Sequence, residues 1–401
     1  MVYRNLCGDS VSLLGFGFLR LPTIKGKVDY NRLQPMVDYA IDKGVNYFET
    51  AYVYMNGNSE IALGRTLARH DRKKIVVSTK LWMDNIYSKE EMDFIFNKQL
   101  HRLNTYYIDN YLFHAVRKHS WKNFEASGFY DFLLEKKQKG QIRHVGFSFH
   151  DTPEFLHQIV SAYDWDFCQL QLNYMDWGVQ KAEEQYRICA VKGLPIVVME
   201  PVRGGELACL PEDVRGILYR QSATQSVTQA SYALRWAASL SQVSCVLSGM
   251  SHMQHVNDNI ETITNFRPIT TVEQENINEA VKAYLALGTI SCTACGYCVP
   301  ACPKGIDIPT ILTRYNYHLR TGDKILLMTA NSISNYGCTK CGTCLLNCPQ
   351  HVDISGELEK IAAFMQKNWP LKSKLKASIE QILPRAMAEF LLKCYRKATR
   401  V

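Results

Sequence analysis

Two periodicities alternate along the chain. Short runs rich in apolar, β-branched and aromatic residues occur at 11–18, 45–50, 74–79, 108–114, 142–147, 167–172, 195–199 and 243–248. Strands buried on both faces read this way, so eight strands of parallel type are predicted. Segments with apolar residues at helical spacing lie at 32–43, 60–70, 90–103, 129–139, 153–162, 179–192, 227–240 and 253–263. Eight strand-helix units within about 260 residues match a closed (β/α)8 TIM barrel in count and size. An open doubly wound sheet is the alternative, but as a rule it has fewer strands and a glycine-rich turn after the first. Here Gly15-Phe16-Gly17 lacks the third glycine and runs on to Leu21-Pro22, so the dinucleotide fingerprint is absent.

A barrel gathers the carboxyl ends of its strands around one mouth, where its chemistry sits. Those ends read Glu49, Thr79-Lys80, His114, Ser148, Gln169 with Gln171 and Asn173, Glu200 and Ser248. A single lysine or histidine at a strand end fits a structural role. An acid, a lysine and a histidine at three successive strand ends, with Tyr54 in the loop after the first, fit a site. A phenol with its ordinary pKa of about 10 is a poor acid at neutrality unless a cation favours its anion. Lys80 can be that cation, Glu49 can hold its charge, and His114 can hydrogen-bond a substrate oxygen or relay a proton. Such a set suits protonation of a carbonyl oxygen while hydride arrives at the carbon.

The 401 residues, 47% hydrophobic, 21% charged and 11% aromatic, have ordinary globular usage. Disordered, collagenous and coiled-coil proteins are thereby excluded. No apolar run approaches the roughly eighteen residues of a membrane span, and the first residues hold no signal-peptide core, so a soluble, cytoplasmic protein is expected. Of the net charge of +8, +7 falls in residues 367–401, where nine Lys and Arg stand against Glu380 and Glu389. The nearly neutral body has no basic stripe with interleaved aromatics, which speaks against a nucleic-acid partner. The basic tail reads either as a helix packed on the preceding domain or as a docking surface for an acidic flavodoxin, ferredoxin or anionic membrane.

Ordered segments over residues 1–285 resemble the aldo/keto reductase family. They are Leu14-Gly15-Phe16-Gly17, Phe48-Glu49-Thr50-Ala51 with Tyr54, Ser59-Glu60 with Leu63-Gly64, and Ser78-Thr79-Lys80. Tyr111-Leu112-Phe113-His114, Gly140 to Ser148, Glu200-Pro201 with Gly204-Gly205, and Asn259 continue the series. The resemblance implies a barrel that binds NAD(P)H without a Rossmann fold and reduces a small aldehyde, ketone or sugar. It places the family's catalytic tetrad on Glu49, Tyr54, Lys80 and His114. Ser148 and Gln169 then hold the carboxamide, and Asn259 contacts the adenine. The family has Asp where this chain has Glu49, and Phe149 stands where many members have Asn. Gly249, Met250 and His255 stand where many members grip the adenosine 2′-phosphate, so the resemblance implies no choice between NADH and NADPH.

Eight of the fourteen cysteines fall between 292 and 348. Cys292, Cys295, Cys298 and Cys302-Pro303 read C-x2-C-x2-C-x3-C-P, and Cys338, Cys341, Cys344 and Cys348-Pro349 repeat it. In a two-cluster ferredoxin, three thiolates of one run and the fourth of the other hold each 4Fe-4S cluster. The expected sets are Cys292, Cys295, Cys298 with Cys348, and Cys338, Cys341, Cys344 with Cys302. Zinc is the alternative for C-x2-C pairs, but four cysteines per run, each closed by Cys-Pro, favour iron-sulfur. Helical patterns at 309–320 and 322–330 fill the offset between runs and predict a helix-rich dicluster domain. The expected layout is a barrel over 1–270, a connecting helix over 271–288, the ferredoxin-type domain over 289–362 and a basic helical tail over 363–401. Two clusters carry single electrons, whereas hydride chemistry moves pairs. A flavin on this protein or a partner, or a substrate that accepts electrons singly, can bridge the two. The rival readings are an electron-transfer module that no longer reduces carbonyls efficiently, and a redox-sensing binding protein.

Overall fold

The computed structural model describes residues 1–82, 86, 88–220, 227–323 and 337–368. A hairpin of β1 (Tyr3–Leu6) and β2 (Asp9–Ser12) precedes eight parallel strands that close on themselves. These are β3 (Leu14–Gly17), β4 (Tyr47–Glu49), β5 (Val76–Leu81), β6 (Ile108–Val116), β7 (Ile142–Phe149), β8 (Phe167–Gln171), β9 (Ile196–Met199) and β10 (Val243–Gly249). Neighbours in sequence are neighbours in the barrel, and β10 returns to β3 with Val246 opposite Leu14. This is the (β/α)8 barrel that the hydropathy pattern predicts. Its strands are buried along nearly their whole length, because helices cover the outside and side chains fill the inside. At Gly15 an added Cβ would lie 2.7 Å from Leu247 and 2.8 Å from Cys245, so glycine lets β3 approach β10 closely.

The run at 11–18 is not one strand. Val11 belongs to the hairpin, the chain bends at Leu13, and only Leu14–Gly17 enters the barrel. The residues on both sides of the bend are buried, so hydropathy carries no mark of it. Leu6 and Val11 pack against Tyr47, Val76 and Phe167, each the first residue of its strand, and so plug the amino-terminal mouth. The opposite mouth carries the polar strand ends.

Local chemistry sets where the covering helices begin. Asp29 accepts the Asn31 and Arg32 amides ahead of Tyr30–Asp42; Ser88 and Glu91 form a reciprocal capping box for Lys89–Leu103; Thr152 with Pro153 starts Pro153–Ala162. Helix Lys118–Ser127, after β6, falls outside the eight expected segments. Thr271–Leu285 is tied to the barrel by Arg235, which bridges Glu273, and by Trp236, whose Nε1 donates to Gln274 across 3.1 Å.

The chain divides into two compact units, Met1–Ala283 and Tyr284–Val401. The second unit is built around helices Ile308–Thr321 and Ile354–Asn368. Its core joins Ile290, Ile308, Ile311, Leu312, Val352, Ile354, Leu358 and Ile361, with several cysteines packed against it. Internal duplication runs past the cysteines. Cys302 leads through Ile306-Asp307-Ile308 into the first helix, and Cys348 through Val352-Asp353-Ile354 into the second. Asp307 accepts the Thr310 amide and Asp353 the Gly356 amide, so equivalent carboxylates cap both helices. Asn316 clamps the start of the first cysteine run, accepting from the Ile290 amide and donating to its carbonyl. The expected helix at 322–330, apart from its first two residues, and the tail beyond 368 lie outside the described residues. Among the described residues no helix is long and apolar enough to cross a membrane.

Candidate functional site

Glu49 ends β4, Lys80 is next to last in β5, and Tyr54 opens the turn Tyr54–Gly57. The Lys80 Nζ is in contact with Glu49 Oε1, 3.0 Å from the Thr50 carbonyl oxygen and 3.1 Å from Tyr54 Oη. Three acceptors thus match the three N–H groups of an ammonium. Both Lys80 and Glu49 are buried. Burial pulls the Lys80 pKa well below the usual lysine range, and the carboxylate in contact with it opposes that pull. Met55 and Asn56, at φ 50° and 56°, turn the chain sharply after Tyr54 into helix Asn58–Leu67.

His114 stands edge-on to Tyr54, ring centroids 5.5 Å apart, and edge-on to Trp82 at 5.2 Å. Burial, then the charges of Lys80, His150 and Arg117, holds its pKa well below the usual histidine value. The imidazole is therefore neutral at neutral pH and acts as a hydrogen-bonding group rather than an acid. A β-bulge aims it: pairing of β6 with β7 shifts register between Phe113 and Val116, and Ala115 adopts the left-handed φ of 51°. The Ala115 amide donates to Ser148 Oγ across 2.7 Å. Ser148 thus anchors the bulge that carries His114.

Gln169 is the register partner of Ser148 on the adjoining strand. Its Nε2 donates to Glu49 Oε1 across 3.2 Å, while its buried Oε1 has no hydrogen-bond partner among the described residues. That acceptor fits a carboxamide N–H. Glu49, Lys80, Tyr54, His114 and Gln169 are linked by these contacts. Asn259 is not joined to them directly; from helix Met253–Thr264 its Nδ2 donates to Ser248 Oγ across 2.8 Å. Two nearby residues escape sequence reading. Trp82, one residue past β5, walls His114. Arg32, from a distant helix, sets Nη2 2.7 Å from His252 Nδ1 and 3.3 Å from the Ser251 carbonyl oxygen.

In the second unit Cys292, Cys295, Cys298 and Cys348 line a cavity together with Ile308, Leu312 and Val352. Cys302, Cys338, Cys341 and Cys344 line another with Ile306, Lys304 and Lys340. Each cavity carries three cysteines of one run and the fourth of the other. Cys298 is buried, whereas Cys338 and Cys341 are exposed. The Cys298 thiol is pushed up to about 12 by burial and then by Cys295, Cys292 and Cys348. Hydrogen bonds to Thr343 lower Cys341 instead. Among the described residues no three Cys, His, Asp or Glu side chains converge to hold a single ion. Four thiols lining each cavity are the number a 4Fe-4S cluster takes.

The aldo/keto reductase family model matches residues 13–282, and a 4Fe-4S dicluster domain model matches 291–353. The uncharacterized oxidoreductase YqkF of Bacillus subtilis (strain 168) is 26% identical over 308 residues, 68% of this chain and 93% of that protein. Aldo-keto reductase AKR11C1 from Bacillus halodurans, in its holo form, superimposes with a TM-score of 0.58 at 26% identity, covering 70% of this chain and 96% of that one. An aldo-keto reductase from Klebsiella pneumoniae in complex with NADPH shares the fold, with a TM-score of 0.54 at 19% identity, covering 70% and 95%. The chain belongs to the aldo/keto reductase family of oxidoreductases and carries a 4Fe-4S dicluster domain after its barrel.

Proposed function

We propose that the barrel reduces a small carbonyl compound, an aldehyde, ketone or sugar, with Tyr54 as proton donor. The observation that carries this reading is the Lys80 ammonium bridging Glu49 and Tyr54, all three side chains buried. A cation 3.1 Å from a phenol stabilises the phenolate and so makes the phenol a better acid. Glu49 keeps that cation charged and in place. Neutral His114 hydrogen-bonds the carbonyl oxygen and orients it toward Tyr54. Gln169, with its free buried acceptor, and Ser148 orient a nicotinamide carboxamide, and Asn259 meets the adenine end. A reduced nicotinamide bound there supplies the hydride; the NADPH complex of the Klebsiella pneumoniae fold relative supports this choice of cofactor.

The two cysteine cavities hold one 4Fe-4S cluster each, ligated by Cys292, Cys295, Cys298 with Cys348 and by Cys338, Cys341, Cys344 with Cys302. Bound there, the clusters would supply single-electron transfer, and their positive iron would stabilise thiolates such as that of Cys298, which burial disfavours. Reconciling single electrons with hydride calls for a flavin on this protein or a partner, or for a substrate that takes electrons singly. An acidic ferredoxin or flavodoxin is the electron partner that the basic tail would fit.

The test is anaerobic NADH and NADPH oxidation across a carbonyl panel. Tyr54→Phe should abolish turnover and Cys292→Ser should spare it; carbonyl turnover that survives Tyr54→Phe rejects the assignment.

A further inference from the structure

One buried carboxylate supports both Lys80 and Tyr54. Glu60, on helix Asn58–Leu67, accepts at Oε1 from Thr79 Oγ1 (2.8 Å) and Gln99 Nε2 (2.7 Å), and at Oε2 from Arg102 Nη1 (3.0 Å). Gln99 Nε2 also lies 3.2 Å from the Lys80 carbonyl oxygen. Its other end accepts from the Tyr111 hydroxyl, which fixes the amide's orientation. Arg102 Nη1 lies 3.3 Å from the Tyr52 carbonyl oxygen, with the guanidinium carbon 4.7 Å from the centre of the Tyr52 ring. So one carboxylate orients an amide that holds the backbone of Lys80 and a guanidinium that holds the segment leading to Tyr54. The two helices involved are pressed together: an added Cβ on Gly64 would lie 2.4 Å from the Arg102 carbonyl oxygen.

We propose that Glu60 is a positioning residue which, through Gln99 and Arg102, fixes the separation of Lys80 Nζ and Tyr54 Oη. This rests on the tetrad reading above. Its side-chain partners are Thr79, Gln99 and Arg102, none of the four tetrad residues. Charge and position make opposite forecasts for the phenol. A carboxylate acting only through its field disfavours the phenolate, so neutralising it would make Tyr54 more acidic. A carboxylate that keeps Lys80 against Tyr54 makes Tyr54 less acidic when lost.

The experiment follows Tyr54 ionisation by nuclear magnetic resonance of ring-labelled tyrosine in the iron-loaded full chain, with the signal assigned from Tyr54→Phe. Wild-type Tyr54 should titrate below the other tyrosines. Glu60→Gln, and Arg102→Lys, whose side chain is one bond shorter and lacks the guanidinium held over the Tyr52 ring, should each raise its titration by roughly one pH unit. An unchanged or lowered titration in the folded variants overturns the proposal, and Arg102→Lys carries the test if Glu60→Gln does not fold. Wild-type Tyr54 titrating with the ordinary tyrosines overturns the tetrad reading itself, a result distinguishable from the first.

Discussion

Glu49 is in contact with the Lys80 ammonium and also accepts the Gln169 amide across 3.2 Å, so the acid beside the cation also anchors Gln169. The longer side chain at this position therefore keeps its reach to Lys80. Glu49→Gln leaves a buried ammonium without its counter-charge, which costs about 3–5 kcal/mol. The thermal midpoint of the barrel should fall accordingly, and adding Lys80→Met should recover part of the loss, as a double-mutant cycle would record.

Ser148 holds the Ala115 amide at the bulge that aims His114. Ser148→Ala strands that buried N–H, at a cost of about 1–3 kcal/mol. Denaturant unfolding should register the loss. Steady-state kinetics should show kcat falling with His114 misplaced, beside a higher KM for the nucleotide.

The cross-ligated cysteine sets make a counting prediction. Anaerobically prepared wild type should carry about eight irons, two clusters of four. Cys292→Ser/Cys348→Ser strikes one set and should retain about four, whereas Cys292→Ser/Cys302→Ser strikes both and should retain far fewer. Equal iron in the two double variants contradicts the partition.

His114 gives the fold an acid limit. Its folded pKa is depressed, so the unfolded imidazole takes up a proton first as pH falls below its ordinary value of about 6.5. The stability from neutral His114 is fully present above that pH and drains away as pH falls toward the folded pKa. His114→Gln should flatten the slope of stability with pH in that window by up to about 1.4 kcal/mol per pH unit. Thermal midpoints measured from neutrality downward decide it.

The barrel was legible because short runs rich in apolar, β-branched and aromatic residues alternate with segments of helical spacing, and the second unit because thiolate spacing is short-range. What stayed hidden is long-range or silent in hydropathy. The bend at Leu13 separates two strands whose adjoining residues are buried. Glu60 reads as an ordinary acid of a helix's first turn, and only the fold brings Arg102 to it. Arg32 likewise meets His252, more than two hundred residues on, with no local signal. Ser148 was legible as a site residue, but its grip on the Ala115 amide depends on a bulge that no sequence pattern marks.

The most direct measurement is single-turnover hydride transfer from NADPH to an aldehyde in the anaerobic, iron-loaded protein, comparing wild type with Tyr54→Phe. Loss of proton donation should slow transfer by roughly 10²–10⁴-fold with nucleotide affinity unchanged. Transfer at the wild-type rate in Tyr54→Phe would contradict the account.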